Sequence, residues 1–97
     1  MAIDVEWQDE NGKALSRYDG PLIDGRLPEQ ARAGSCCLRF IDPYGDTTFN
    51  AAQVAVLEEE LASLVSDVAV AEQARSLLNF LRPFQDRTHC YLKFIGD

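Results

Sequence analysis

From residue 51 to residue 82 the chain has no glycine and no proline. That stretch constrains the fold more than any other. One unbroken helix there would be about 48 Å long at ~1.5 Å per residue, too long for a domain of this size. The apolar residues resolve the conflict, because they fall into two rows. Val54, Leu57, Leu61, Leu64 and Val65 mark one helical face, and Ala71, Ala74, Leu77, Leu78 and Leu81 mark another. The spacing predicts two helices with a break near Ser66-Asp67. Asn50 should cap the first, with Gln53 as its capping-box partner. Asp67 should cap the second, and Pro83 should end it.

Strands are expected on both sides of this pair. Residues 38–46 read Leu-Arg-Phe-Ile-Asp-Pro-Tyr-Gly-Asp, and 92–97 read Leu-Lys-Phe-Ile-Gly-Asp. Both alternate apolar and charged residues at period two, the mark of a half-buried strand. Strands are therefore predicted at 36–42 and 88–95. They should run parallel to each other, with a short return strand over 47–49. Leu38, Phe40, Leu92 and Phe94 should all face the helices, against Leu57, Leu61, Leu78 and Leu81. Asp42-Pro43-Tyr44-Gly45 between the strands has the type I turn pattern.

At the start, Ile3, Val5 and Trp7 alternate with Asp4, Glu6 and Gln8. Asn11-Gly12 follows and predicts a type I′ hairpin. That register sets Glu6 opposite Arg17, Glu10 opposite Lys13 and Val5 opposite Tyr18. Residues 19–35 are rich in Gly and Pro, with one helical turn expected from Pro28 to Arg32. The whole is one α+β domain spanning 1–97. Its sheet should be small, mixed and mostly antiparallel. Two antiparallel helices should pack on one face, in the order ββ-loop-ββαα-β.

The candidate chemistry is sparse. Asp42 and Asp46 flank a turn and lack the dense acidic spacing of a calcium loop. His89 is the single histidine and precedes a strand. Cys36, Cys37 and Cys90 lack the spacing of a metal site. If 36–42 and 88–95 were neighbouring strands, Cys36 and Cys90 could share a face. Phe80 lies off its helix's apolar row and either closes the core edge or offers an anchor for self-association. No phosphate loop, nucleophile elbow or basic–aromatic patch is present. No enzyme, metal or cofactor is expected. A small enzyme using His89, Asp42 or a cysteine is the third-ranked reading.

Charge is the stronger signal. Sixteen acidic residues against nine basic give a net charge of −7, which disfavours nucleic acid and anionic membranes as partners. The first ten residues are acidic and alternating, unlike a signal peptide, so a cytoplasmic location with reduced cysteines is expected. Between 50 and 74 there are five acids, Glu58, Glu59, Glu60, Asp67 and Glu72, and no Lys or Arg. Solvated helices usually interleave Lys with Glu. This one-signed face predicts a basic protein partner, contacted through Glu59, Glu60 and Asp67 and helped by Tyr44 and Asp46 at the strand turn.

The segment Cys-Leu-Arg-Phe-Ile-Asp-Pro-Tyr-Gly-Asp-Thr-Thr-Phe-Asn and the terminal Tyr-Leu-Lys-Phe-Ile-Gly-Asp resemble a family of short, acidic bacterial proteins without an assigned activity. In size and acidity the chain also resembles immunity proteins that neutralise polymorphic toxins. That resemblance implies a non-catalytic inhibitor of a basic toxin acting in the cytosol. It transfers no residue roles. The alternative expectation is a self-associating structural or regulatory domain, such as a homodimer.

Overall fold

The computed structural model describes residues 2–31, 34–84 and 87–96. The elements are β1 (Asp4–Gln8), β2 (Ala14–Arg17), α1 (Arg26–Ala31), a 3-10 turn (Leu38–Phe40), β3 (Asp46–Phe49), α2 (Ala51–Leu64), α3 (Ala71–Leu81) and β4 (Tyr91–Ile95). The α+β class is as the sequence predicts. One sheet has the order β2-β1-β4-β3, and every neighbouring pair is antiparallel.

Alternation decides which face of the sheet is covered. Val5, Trp7, Phe49, Leu92 and Phe94 are buried, and they meet Val54, Leu57 and Leu61 of α2 and Ala74, Leu77 and Leu81 of α3 in one core. Phe49 and Phe94 touch edge to face, with ring centroids 5.8 Å apart. Trp7 is wholly buried and stacks on Phe84 at 4.4 Å. Phe80 packs edge-on against Tyr18, so of its two expected roles it takes the closing of the core edge.

The helix pair forms as its apolar rows require. Asn50 Oδ1 accepts from the Gln53 N–H, and Gln53 Oε1 accepts from the Asn50 N–H, a complete capping box. The second cap differs from expectation. Val70 stands at the N-cap of α3 and supplies no side-chain bond. Asp67 caps the connecting turn instead, accepting from the Ala69 N–H at 3.0 Å through Oδ1. Its other oxygen accepts from the Gln30 side chain at 2.9 Å.

The largest correction concerns residues 36–42. They form no strand, and the parallel pairing expected there is absent. Leu38 and Ile41 are buried while Arg39 and Phe40 are exposed, a spacing of three and not two. Local acceptors take the donors that a strand would offer its neighbour. Phe40 N–H bonds to Cys37 O, Ile41 N–H to Leu38 O and Arg39 N–H to Ser35 Oγ. Phe40 keeps 60% of its surface exposed, so it does not join Leu38, Leu92 and Phe94 in the core.

Two smaller differences have local causes. The first hairpin keeps Glu6 opposite Arg17, and the Tyr18 N–H reaches Val5 O. Its turn is not type I′, because Gly12 has φ +83° and Asn11 stays outside the left-handed region. Asp9 Oδ1 accepts from the N–H groups of Asn11 and Lys13 and closes the turn one residue early. Asp9, not Glu10, thus pairs with Lys13, and Leu15 becomes the extra residue of a bulge. Helix α1 begins at Arg26, where Asp24 Oδ1 accepts from the Arg26 N–H, and not at Pro28; its expected last residue, Arg32, lies outside the described residues.

Candidate surface for a protein partner

The outward face of α2 has an unusual composition. Ala52, Ala55, Val56, Glu59, Ala62 and Ser63 are all exposed. A solvated helix face normally carries long charged side chains that interact four residues apart. This one is flat, made of small side chains around a single carboxylate. Beside it lies a groove of about 370 Å³, walled on one side by Cys36, Cys37 and Phe40 and on the other by Ala52, Gln53 and Val56. Phe40 lines it with most of its ring in solvent, and the Arg39 guanidinium lies 5.0 Å from the ring centroid.

Glu60 positions that wall. Its carboxylate accepts from three consecutive backbone N–H groups, those of Cys36, Cys37 and Leu38, the last at 3.0 Å. The bond spans more than twenty residues of sequence and fixes the loop against α2. It also supplies acceptors to donors that the absent strand leaves without partners. Burial first, and then the nearby Glu60 charge, push the Cys37 thiol above its ordinary pKa. Cys37 Sγ lies 3.7 Å from the Gln53 carbonyl oxygen.

The expected partner-binding residues therefore have distinct surroundings. Glu59 is exposed on the flat face. Glu60 holds the loop. Asp67 serves its own turn and Gln30. Asp46 lies 3.4 Å from Lys93 Nζ across β3 and β4. Tyr44 is 71% exposed and stands at a second cleft, of about 500 Å³, with Arg26, Glu29 and Pro43. Glu58 is also engaged: Arg87 grips it with two bonds, of 2.6 and 3.0 Å. Of the one-signed run, Glu58, Glu60 and Asp67 are thus bonded within the chain, while Glu59 on the flat face of α2 and Glu72 in the first turn of α3 stay exposed. Phe40 and Val56 were not among the expected contacts. The signal that could have found them is the inward spacing of Leu38 and Ile41, which turns Phe40 out.

The other candidate groups stay apart. His89 Nδ1 is 3.8 Å from Glu10 Oε2, with both side chains exposed. Its φ of 60° is the left-handed turn that feeds β4. Cys36 is exposed, Cys37 buried and Cys90 half-buried. The strand pairing that would have aligned Cys36 with Cys90 does not form. Among the described residues no group of three or more His, Cys, Asp or Glu is placed to hold a metal ion. No helix among them is long and apolar enough to cross a membrane. No protein-family model, curated protein or solved structure matches the chain.

Proposed function

We propose that this chain is a non-catalytic binding protein that docks a basic protein partner on the outer face of α2. The observation that carries the reading is the exposed Ala-rich helix face around Glu59, continuous with the Phe40 groove. Apolar surface of this kind, rimmed by charge, marks interaction sites. The partner that fits presents an apolar anchor to the groove and a Lys or Arg to Glu59. The net charge of −7 supports a basic partner, because it steers one during encounter. The specific form we propose is an immunity-type inhibitor. Its partner would be a bacterial toxin domain whose positively charged cleft is covered on binding, in the cytoplasm.

Exposure of Phe40 favours a second reading, in which two copies of the chain bury this face against each other. Parallel capture experiments test both. Wild type, Phe40→Asp and Glu59→Lys proteins are immobilised and exposed to extract of the native cell. The proposal expects one basic protein retained by wild type and lost from both variants. Equal retention by all three contradicts the assigned face. A dimer in sedimentation equilibrium that Phe40→Asp dissociates favours self-association.

A further inference from the structure

Two thiols joined through one peptide bond lie in the wall of the docking groove. Cys36 is exposed and Cys37 is 5% exposed. The backbone around them is tied down at three successive points, since the N–H groups of Cys36, Cys37 and Leu38 all donate to Glu60. Cys36 is the thiol that a soluble oxidant meets first, and Cys37 is beside it to resolve the product.

Adjacent Cα atoms are ~3.8 Å apart across a trans peptide, short of the ~4.4–6.8 Å that an ordinary disulfide spans. Joining these two sulfurs therefore twists the peptide between them. That peptide carries the Cys37 N–H, the central donor to Glu60. A twisted disulfide of this kind is also easily reduced, which suits a reversible change and not a permanent staple.

We propose that Cys36 and Cys37 are a reversible oxidation site for hydrogen peroxide, and that closing their disulfide frees the Glu60 carboxylate and reshapes the loop carrying Phe40. In the first step the Cys36 thiolate attacks peroxide. An S–O bond forms, the O–O bond breaks and hydroxide leaves, taking up a proton as water. In the second step the Cys37 sulfur attacks the sulfenic acid. The S–S bond forms, the S–O bond breaks and a second water leaves with the Cys37 proton. Two thiols and one peroxide thus give one disulfide and two waters. Glu60 restrains the second step, because its charge disfavours the Cys37 thiolate.

Regulation of docking by this step rests on the function proposed above, but the thiol chemistry does not. The test therefore uses the protein alone. After peroxide treatment and trypsin digestion, the peptide 33–39 should be lighter by two hydrogens, and a thiol reductant should restore its mass. Amide exchange at Cys37 and Leu38 should accelerate by roughly tenfold or more in the oxidised protein. Cys36→Ser, altered at an exposed position, should show neither change. Three outcomes overturn the proposal: over-oxidation of Cys36 with no disulfide, a bond from Cys36 to Cys90 or to another chain, or unchanged exchange once the vicinal bond has formed.

Discussion

A single carboxylate, that of Glu60, decides where the 36–40 loop lies. It satisfies three N–H groups that would otherwise need a sheet neighbour. Glu60→Ala should cost on the order of 2 kcal/mol in urea unfolding, since these charge-assisted bonds exceed neutral ones. The loop amides should lose exchange protection in the same variant. Arg87 has a comparable role on the other side of α2, since Glu58 lies two residues, about 200° around the helix, from Glu60. It bonds Glu58 twice, donates to the carbonyls of Leu81 and Phe84, and lies 5.4 Å from the Trp7 ring. Asp24 gives a pH signature. Burial alone would raise its pKa, but hydrogen bonds from Arg26 and Gln73 outweigh burial and lower it. The fold therefore favours its ionised form. This contribution is complete above the unfolded carboxylate range and lost as pH falls through the lowered folded value. Asp24→Asn should thus be less stable than wild type at neutral pH. The gap should shrink in acid, as read by thermal unfolding across pH.

At the scale of elements, two near-identical tetrapeptides adopt different structures. Leu38-Arg39-Phe40 forms the 3-10 turn with Ile41 as its cap, and Leu92-Lys93-Phe94-Ile95 lies within β4. Strand propensity is equal in both, so context separates them. The second copy has β1 on one side and β3 on the other to take its backbone bonds. The first has Glu60 and Ser35 in their place. The paired phenylalanines should respond accordingly. Phe94→Ala should cost about 3–5 kcal/mol and Phe40→Ala less than about 1 kcal/mol in equilibrium unfolding. Equal losses would place Phe40 in the core after all. The helices, their capping box and the inward residues of β1 and β4 were legible because periodicity and caps are local signals. The Glu60 contact was not, since it joins residues more than twenty apart and leaves no periodic trace. Asp9 closing the first turn was visible in principle, as an Asx side chain two residues before Asn11.

The whole molecule is small and acidic, with its charge unevenly used. Glu6, Asp24, Asp46 and Glu58 each have a cationic partner within the chain. Glu59 has an exposed position on the flat face of α2. The segment between 50 and 74 therefore foretold an acidic helix but not which of its acids stay free for a partner. That distinction depends on Arg87, Gln30 and the 36–38 loop folding back onto the helix. Long-range attraction by the remaining charge should act on association more than on dissociation. Its range falls from about 30 Å at 0.01 M salt to about 10 Å at 0.1 M. The most direct test of the docking account is the stopped-flow association rate of the captured partner with wild type and Glu59→Lys across that salt range. The account predicts a wild-type rate that falls steeply with salt, and a slower, flatter rate for the variant with its fold intact. Rates indifferent to both salt and charge reversal would contradict it.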